Sequence, residues 1–287
     1  MLRKKLSQKK CWMKLSKNKY NNGMSILKLS KEYPYSYDVI SRHLKENGIK
    51  IRGNSFYQSK YYFDESFFDT IDNQYKAYWL GFIFVDGFIS KSTHGRECIG
   101  VATSKIDEDH LHKFKEHIKS TYPINTYKVT KGFKIGAEYV RILMRSDKAI
   151  RKLKEYGIDY KKSFNCKFPS EDIVPKHLMN HFIRGYYDGN GSLKLHGSRN
   201  STKDYTIAFC GTKDMMENIQ KYIPINRVYK LRQRYPERNN NNYDLEIGGR
   251  LQVKQILEYI YNDAEVYLVR KYERYKEFLN EYNKIYN

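Results

Sequence analysis

Two mostly apolar runs stand out of an otherwise polar chain, Tyr78 to Ile89 (YWLGFIFVDGFI) and Phe182 to Leu193 (FIRGYYDGNGSL). Each carries an early glycine, Gly81 or Gly185, and leads into a polar residue followed by glycine, Asp86-Gly87 or Asn190-Gly191. An apolar run with a small residue inside it predicts a helix packed closely on another helix, because glycine lets two backbones approach. Two such runs predict that they pack on each other. The glycine after the polar residue predicts an end in the left-handed conformation, which sets Asp86 and Asn190 at neighbouring helix C-termini.

Downstream of each run, period-two alternation dominates. After the first, Phe88 to Lys91 and Cys98 to Thr103 read as strands around a turn at Ser92 to Arg96, and Asp107 to Ser120 reads as a helix with Leu111, Phe114 and Ile118 inward. Two further strands come next. In the second of them, Val140, Ile142 and Met144 alternate with Tyr139, Arg141, Leu143 and Arg145, so its basic members share a side. Ser146 then caps a helix ending at Gly157. After the second run the same order returns: strands at Ser192 to Leu195, Tyr205 to Cys210, Arg227 to Arg234 and Tyr243 to Ile247, helices after Thr212 and Gly249, and a last amphipathic helix from about Val266 to Tyr286. This is an internal repeat by pattern even where the letters differ. In YKLRQRY, Lys230, Arg232 and Arg234 fall at every second position, giving either a solvated basic edge or a basic recognition face.

Ahead of both repeats, Gly23-Met24-Ser25 opens a short helix with Ile26, Leu27 and Leu29 inward. Tyr33-Pro34-Tyr35 breaks it, and Ser36 caps a second helix that ends near Gly48. With Val39, Ile40 and Leu44 facing a core, Tyr37, Ser41, Arg42 and Lys45 face outward, and Arg52 comes just after. Those types suit contact with a nucleic-acid groove in a helix-turn-helix. A small helical hairpin with a solvated basic face is the other reading.

Charge narrows the partners. The chain has 287 residues, 40% of them hydrophobic, and a formal net charge of +21, which points to a polyanion and above all to nucleic acid. An acidic membrane surface is the second candidate. Against it, the longest apolar stretch, Ala77 to Val85, is too short to span a bilayer and runs straight into Asp86. The basic start MLRKKLSQKK precedes no long apolar segment and does not read as a signal peptide. Cys11, Cys98, Cys166 and Cys210 lie far apart, so neither a zinc site nor a disulfide framework is expected, and a reducing intracellular setting fits.

Helix C-termini expose carbonyls without internal partners and carry the negative end of the helix dipole. Two such ends meeting, each with an oxygen-bearing side chain, suit a hard cation such as Mg²⁺, and metal held beside a phosphate is a common arrangement for phosphodiester cleavage. The alternative is a buried helix pair merely capped by its polar residues.

Both runs resemble the LAGLIDADG motif of homing endonucleases. Trp79 to Gly87 (WLGFIFVDG) matches at Gly81, Asp86 and Gly87, with Ile83 apolar and Phe84 in place of the motif's first Asp. Ile183 to Gly191 (IRGYYDGNG) matches at Gly185, Asp188 and Gly191, but Asn190 stands where the family usually carries a metal-binding Asp. YGIDYKKSFNCKFPS and YLVRKYERY also look typical of single-chain members. The resemblance implies an α+β architecture of two pseudo-symmetric αββαββα halves, residues 70–170 and 171–287, behind a helix-turn-helix in residues 1–55. The implied activity is that of a monomeric, sequence-specific, Mg²⁺-dependent double-strand DNA endonuclease, with Mn²⁺ as a substitute, belonging to a mobile genetic element such as an intron. Asp86 would be the acidic metal ligand and Asn190 a neutral one, aided by the carbonyls of Val85 and Gly189. Lys162 and Lys271 would be the basic residues near the cleavage centre, and Gly81 and Gly185 the packing points of the motif helices. Arg141, Arg145, Lys230, Arg232 and Arg234 would lie along DNA. Asn190 implies reduced or strand-biased cutting. A DNA-binding regulator without cleavage, or an intron RNA maturase, is the alternative on the same scaffold. The implied setting is a bacterial or phage-infected cytoplasm, or an organelle.

Overall fold

A computed structural model of the chain describes residues 15–51, 61–91, 95–130, 132, 135–160, 162–196, 204–238 and 240–286. The chain divides between Tyr61 and Tyr62 into two compact units.

The first unit contains helices α1 (Ile26–Glu32) and α2 (Tyr37–Glu46) around a small core of Tyr20, Ile26, Leu29, Ile40 and Leu44. Ser25 Oγ accepts from Lys28 N at 3.1 Å and caps α1. Tyr33 ends α1 in an extended conformation, as expected of a residue before proline. Ser36 holds the cap position of α2 without a side-chain hydrogen bond. Leu27 and Val39, expected inward, are 60% and 40% exposed. One helix face has room only for residues three and four apart, and on α2 that set is Ile40, His43 and Leu44. Tyr37, Arg42 and Lys45 are exposed and Ser41 is half-buried; Arg52 lies outside the described residues.

The second unit begins with α3 (Gln74–Asp86). From Ala77 to Phe84 every residue of α3 is buried, so the helix shows no polar face and sits inside the molecule. It leads into β1 (Gly87–Lys91) and β2 (Glu97–Ser104), α4 (Glu108–His117), β3 (Ile124–Lys128) and β4 (Glu138–Met144), α5 (Asp147–Glu155) and the single turn α6 (Lys162–Asn165). The pattern repeats as α7 (Met179–Asn190), β5 (Ser192–His196), β6 (Asp204–Gly211), α8 (Lys213–Tyr222), β7 (Arg232–Gln233), β8 (Tyr243–Gly248), α9 (Arg250–Tyr261) and α10 (Val269–Tyr286). Each half folds into one four-stranded antiparallel sheet, ordered β1-β2-β4-β3 and β5-β6-β8-β7. The matching strand orders make the repeat a structural one. Ser146 and Thr212 cap α5 and α8 through their hydroxyls, at 3.1 and 3.3 Å.

Two element bounds in the second half change markedly. The strand expected over Arg227 to Arg234 reduces to Arg232–Gln233, because Tyr229 N turns away to bond Gln220 Oε1 on α8 at 2.5 Å. The last helix starts at Val269, since the backbone of Leu268 just ahead of it is held by a side chain of α7.

The halves join where α3 crosses α7. A Cβ on Gly81 would lie 2.0 Å from Phe182 O, and one on Gly185 would lie 1.9 Å from Tyr78 O, so each glycine presses on the other helix's backbone. Gly87 and Gly191, expected left-handed, end these helices with φ of −80° and −84° in extended conformations. Their glycine character answers crowding instead: a Cβ would meet Ile83 at Gly87, and the Tyr187 ring at Gly191.

Candidate active site and sheet faces

Because the crossing is tight, the two helices still touch at their C-terminal ends, where a Cβ on Gly189 would lie 2.7 Å from Val85 Cβ. Asp86 and Asn190 are the next residues on each side. Asp86 is partly buried and its carboxyl is pushed up to about 7, chiefly by loss of hydration, against the opposing pull of Lys162 and Lys271. Asn190 is more exposed, and its Nδ2 donates to Cys210 O on β6 at 2.9 Å.

The two lysines answer the two helix ends symmetrically. Lys162 Nζ donates to Phe84 O at 2.7 Å and Val85 O at 2.5 Å, at the end of α3. Lys271 Nζ donates to Tyr187 O at 2.6 Å and Gly191 O at 2.8 Å, at the end of α7. Each cation thus sits on carbonyls at the negative end of a helix dipole, where Tyr187 O also accepts from Gly191 N at 2.6 Å. Burial pulls both ammonium groups down to about 8, so both remain mostly charged at neutral pH. Arg270, beside Lys271, reaches the other half and binds buried Asp107 through Nε at 2.9 and 3.1 Å.

Sequence reasoning missed Asp188 and Arg184 as structural anchors. Arg184 is fully buried at the seam, donating to Val266 O, Ile260 O, His181 Nδ1 and Gln74 Oε1 at 2.8 to 3.3 Å. The signal was an arginine inside an apolar helix, which must find partners to be buried.

Among the proposed groove residues, Arg141 on β4 lies with its guanidinium 4.9 Å from the Tyr127 ring centre, and Arg145 is exposed. Lys230 is exposed but precedes β7. Arg232 and Arg234 are not unopposed cations: Arg232 binds Asp244 at 2.7 Å and Glu246 at 3.3 Å, and Arg234 Nε lies 2.6 Å from Asp244 Oδ1. The structure therefore gathers Asp86, Lys162 and Lys271 at one centre with Asn190 at the adjoining helix end, and leaves the arginines on the sheets.

No group of three His, Cys, Asp or Glu side chains suited to a metal occurs among the described residues. One carboxylate and one amide fit only a cation that keeps most of its ligands as water or substrate oxygen, the habit of Mg²⁺. Val85 O, expected as a ligand, is engaged by Lys162. No described helix is long and apolar enough to cross a membrane.

This is the fold of the LAGLIDADG meganucleases, with both halves in one chain. The chain resembles the LAGLIDADG meganuclease I-AabMI, solved bound to uncleaved DNA, with a TM-score of 0.50 and 12% identity over 75% of this chain and 91% of that one. I-SmaMI, solved bound to an uncleaved DNA target in the presence of calcium ions, gives a TM-score of 0.49 and 12% identity over 73% of this chain and 90% of that one. In sequence, 192 residues are 24% identical to a probable translation initiation factor IF-2 of Methanocaldococcus jannaschii. That match covers 63% of this chain, and the chain spans 15% of the relative's length. No family model matches the sequence.

Proposed function

We propose that the protein is a sequence-specific, Mg²⁺-dependent DNA endonuclease of the homing type, cutting one strand more readily than the other. The observation that carries this reading is Asp86 at the seam of the halves, with Lys162 and Lys271 both acting on its carboxyl. The DNA-bound state of I-AabMI and the +21 net charge support a duplex as substrate. Asp86, the Asn190 amide oxygen and Gly189 O would hold the metal. When bound, it would supply polarisation of the phosphoryl oxygen and a more acidic water. The chain's own part is electrostatic: Lys162 and Lys271, anchored on helix carbonyls, hold positive charge where a phosphate gains negative charge. The helix pair of the first unit would act as a helix-turn-helix, adding affinity through Tyr37, Arg42 and Lys45.

The halves are unequal because Asp86 can carry a charge and Asn190 cannot. An amide oxygen ligates a hard cation without the Coulomb attraction that concentrates it. A binding-only protein is the second reading, favoured by the tether of the Asn190 amide to Cys210 O. An A·T-rich duplex library incubated with Mg²⁺ or Mn²⁺ and run on a denaturing gel separates the two. Wild type should give nicked intermediates, Asp86→Asn should bind without cutting, and Asn190→Asp should cut the slower strand faster. If Asp86→Asn cuts both strands, or if neither wild type nor Asn190→Asp cuts bound DNA, the endonuclease reading fails.

A further inference from the structure

The two sheets are built alike and charged differently. Helices cover the face of the second sheet that carries Ile207, Phe209, Leu245 and Ile247, leaving Lys194, Arg232 and Glu246 on the other face. There the charges interlock across strands. Asp244 is 1% exposed, and its Oδ2 accepts from Arg232 Nη2 at 2.7 Å. Arg234 Nε lies 2.6 Å from Asp244 Oδ1, a charge contact whose N–H is not aimed along that line, so Oδ1 has no directed hydrogen bond. Glu246 adds a contact to Arg232 at 3.3 Å and is itself held by Lys194 at 3.2 Å. Arg234 N donates to Asn242 O at 2.7 Å, which extends the strand pairing past Gln233 and fixes where that side chain starts. Both arginines line a groove that opens to solvent beside Tyr235 and Glu237. On the first sheet, the Arg141 guanidinium lies against the Tyr127 ring, and its buried Nε has no hydrogen-bond partner among the described residues.

We infer that Arg232 and Arg234, held in place by Asp244, are specificity-determining residues that read guanine on one half of a target duplex; the inference rests on the DNA-binding reading of the proposed function. Three observations favour a base over a phosphate. Two carboxylates beside the arginines cancel most of the local positive charge, which weakens a phosphate site but not one for the neutral O6/N7 edge of guanine. Arg232 is anchored on two carboxylates through Nη2, which limits the directions of its other N–H groups, and Arg234 is held beside Asp244 by charge and by its own strand pairing; direction is what distinguishes one base edge from another. Side chains two positions apart on an extended chain stand about 6.6 Å apart, close to two base steps at about 3.4 Å each. Asp244 is too buried to touch DNA and is a positioning residue. Arg141 and Arg145, which pair with no carboxylate among the described residues, suit sequence-independent backbone contact.

The test is selection from a randomised duplex library by the full chain in Ca²⁺, followed by affinity measurements on the selected site. Wild type should enrich guanine at two positions separated by one base. Arg232→Ala and Arg234→Ala should each lose preference at one of these positions by about tenfold or more, leaving the rest of the site unchanged. Asp244→Asn should relax both positions together and, by uncovering positive charge, leave the salt dependence at least as steep as that of wild type. Arg141→Ala should instead weaken binding to all sequences and flatten the salt slope by about one. Because Arg232 and Arg234 are partly exposed, their variants test the idea even if Asp244→Asn fails to fold, which a thermal melt would reveal. The inference is overturned if the selected site lacks the two guanines, or if the Arg232 and Arg234 variants flatten the salt slope with selectivity intact, as phosphate contacts would. If wild type binds no duplex at all, it is the DNA-binding reading that falls.

Discussion

Asp188 and Phe84 occupy equivalent places, each two residues before a candidate ligand, and they do opposite work. Asp188 accepts hydrogen bonds from Tyr78 Oη at 2.7 Å, Tyr261 Oη at 2.5 Å and Leu268 N at 2.7 Å, tying α3, α9 and the start of α10 to α7. Phe84 packs edge-on against the Phe182 ring, with centroids 5.3 Å apart. The second half is thus held by a buried carboxylate where the first is held by an aromatic contact. Burial still raises the Asp188 carboxyl above its ordinary range, against the pull of Lys271 and its three donors.

Replacing Asp188 by Ala should be severely destabilising, because it strands the buried Tyr261 phenol and the Leu268 N–H and leaves Tyr78 Oη with His110 Nε2 at 2.9 Å as its remaining contact. A loss of about 3 kcal/mol or more is expected. Urea unfolding of the variant against wild type measures it, and a loss below about 1 kcal/mol would contradict the anchoring role.

Gly81→Ala should fail more completely than Gly100→Ala. At Gly81 the new methyl meets backbone, Phe182 O at 2.0 Å, whereas at Gly100 it meets the Phe88 ring, which can turn aside. The first should cost about 3 kcal/mol or more and the second about 1 kcal/mol, read as midpoint shifts in denaturant.

Asp86 should make the metal-free protein less stable as pH rises. Its folded carboxyl titrates near 7 against about 4 when unfolded, so the folded state binds the extra proton between those values and stability falls across that window. Asp86→Asn should therefore raise the melting temperature at pH 8 in chelator and leave it almost unchanged at pH 4. The gain should be about 2 kcal/mol after allowance for partial exposure. A variant that melts lower at pH 8 would show that the carboxylate is stabilised by Lys162 and Lys271 more than it is strained by burial.

Binding should be dominated by phosphate contacts. If six or more phosphates are neutralised, affinity should fall about a thousandfold or more between about 50 and 200 mM salt. Titration of a labelled duplex over that range tests it, and a flat response would rule out the electrostatic picture.

Removing residues 1–61 should leave a folded second unit, because the cores of the two units share no residue. The truncated protein should bind duplex more weakly and still show any metal-dependent cutting at high protein concentration. Binding as tight as the full chain would assign the first unit another purpose.

Local chemistry made much of this legible in the amino-acid order. Alternation at Val140, Ile142 and Met144 set which face of β4 is buried, hydroxyls at Ser146 and Thr212 marked helix starts, and the repeated apolar run with its inner glycine marked the crossing of α3 and α7. Each of these signals spans a few residues and obeys a fixed period. What only the tertiary structure decided depends on groups far apart in the chain. Gly87 and Gly191 looked like left-handed caps and proved extended, because the obstruction is a packed side chain rather than a dihedral. Lys162 and Lys271 were two among many cations until the fold laid each on the carbonyls of a different helix. The regular spacing of Lys230, Arg232 and Arg234 suggested a bare basic face, but strand pairing brought Asp244 and Glu246 beneath two of them. Charge is written in the sequence, whereas its compensation depends on which strand lies alongside.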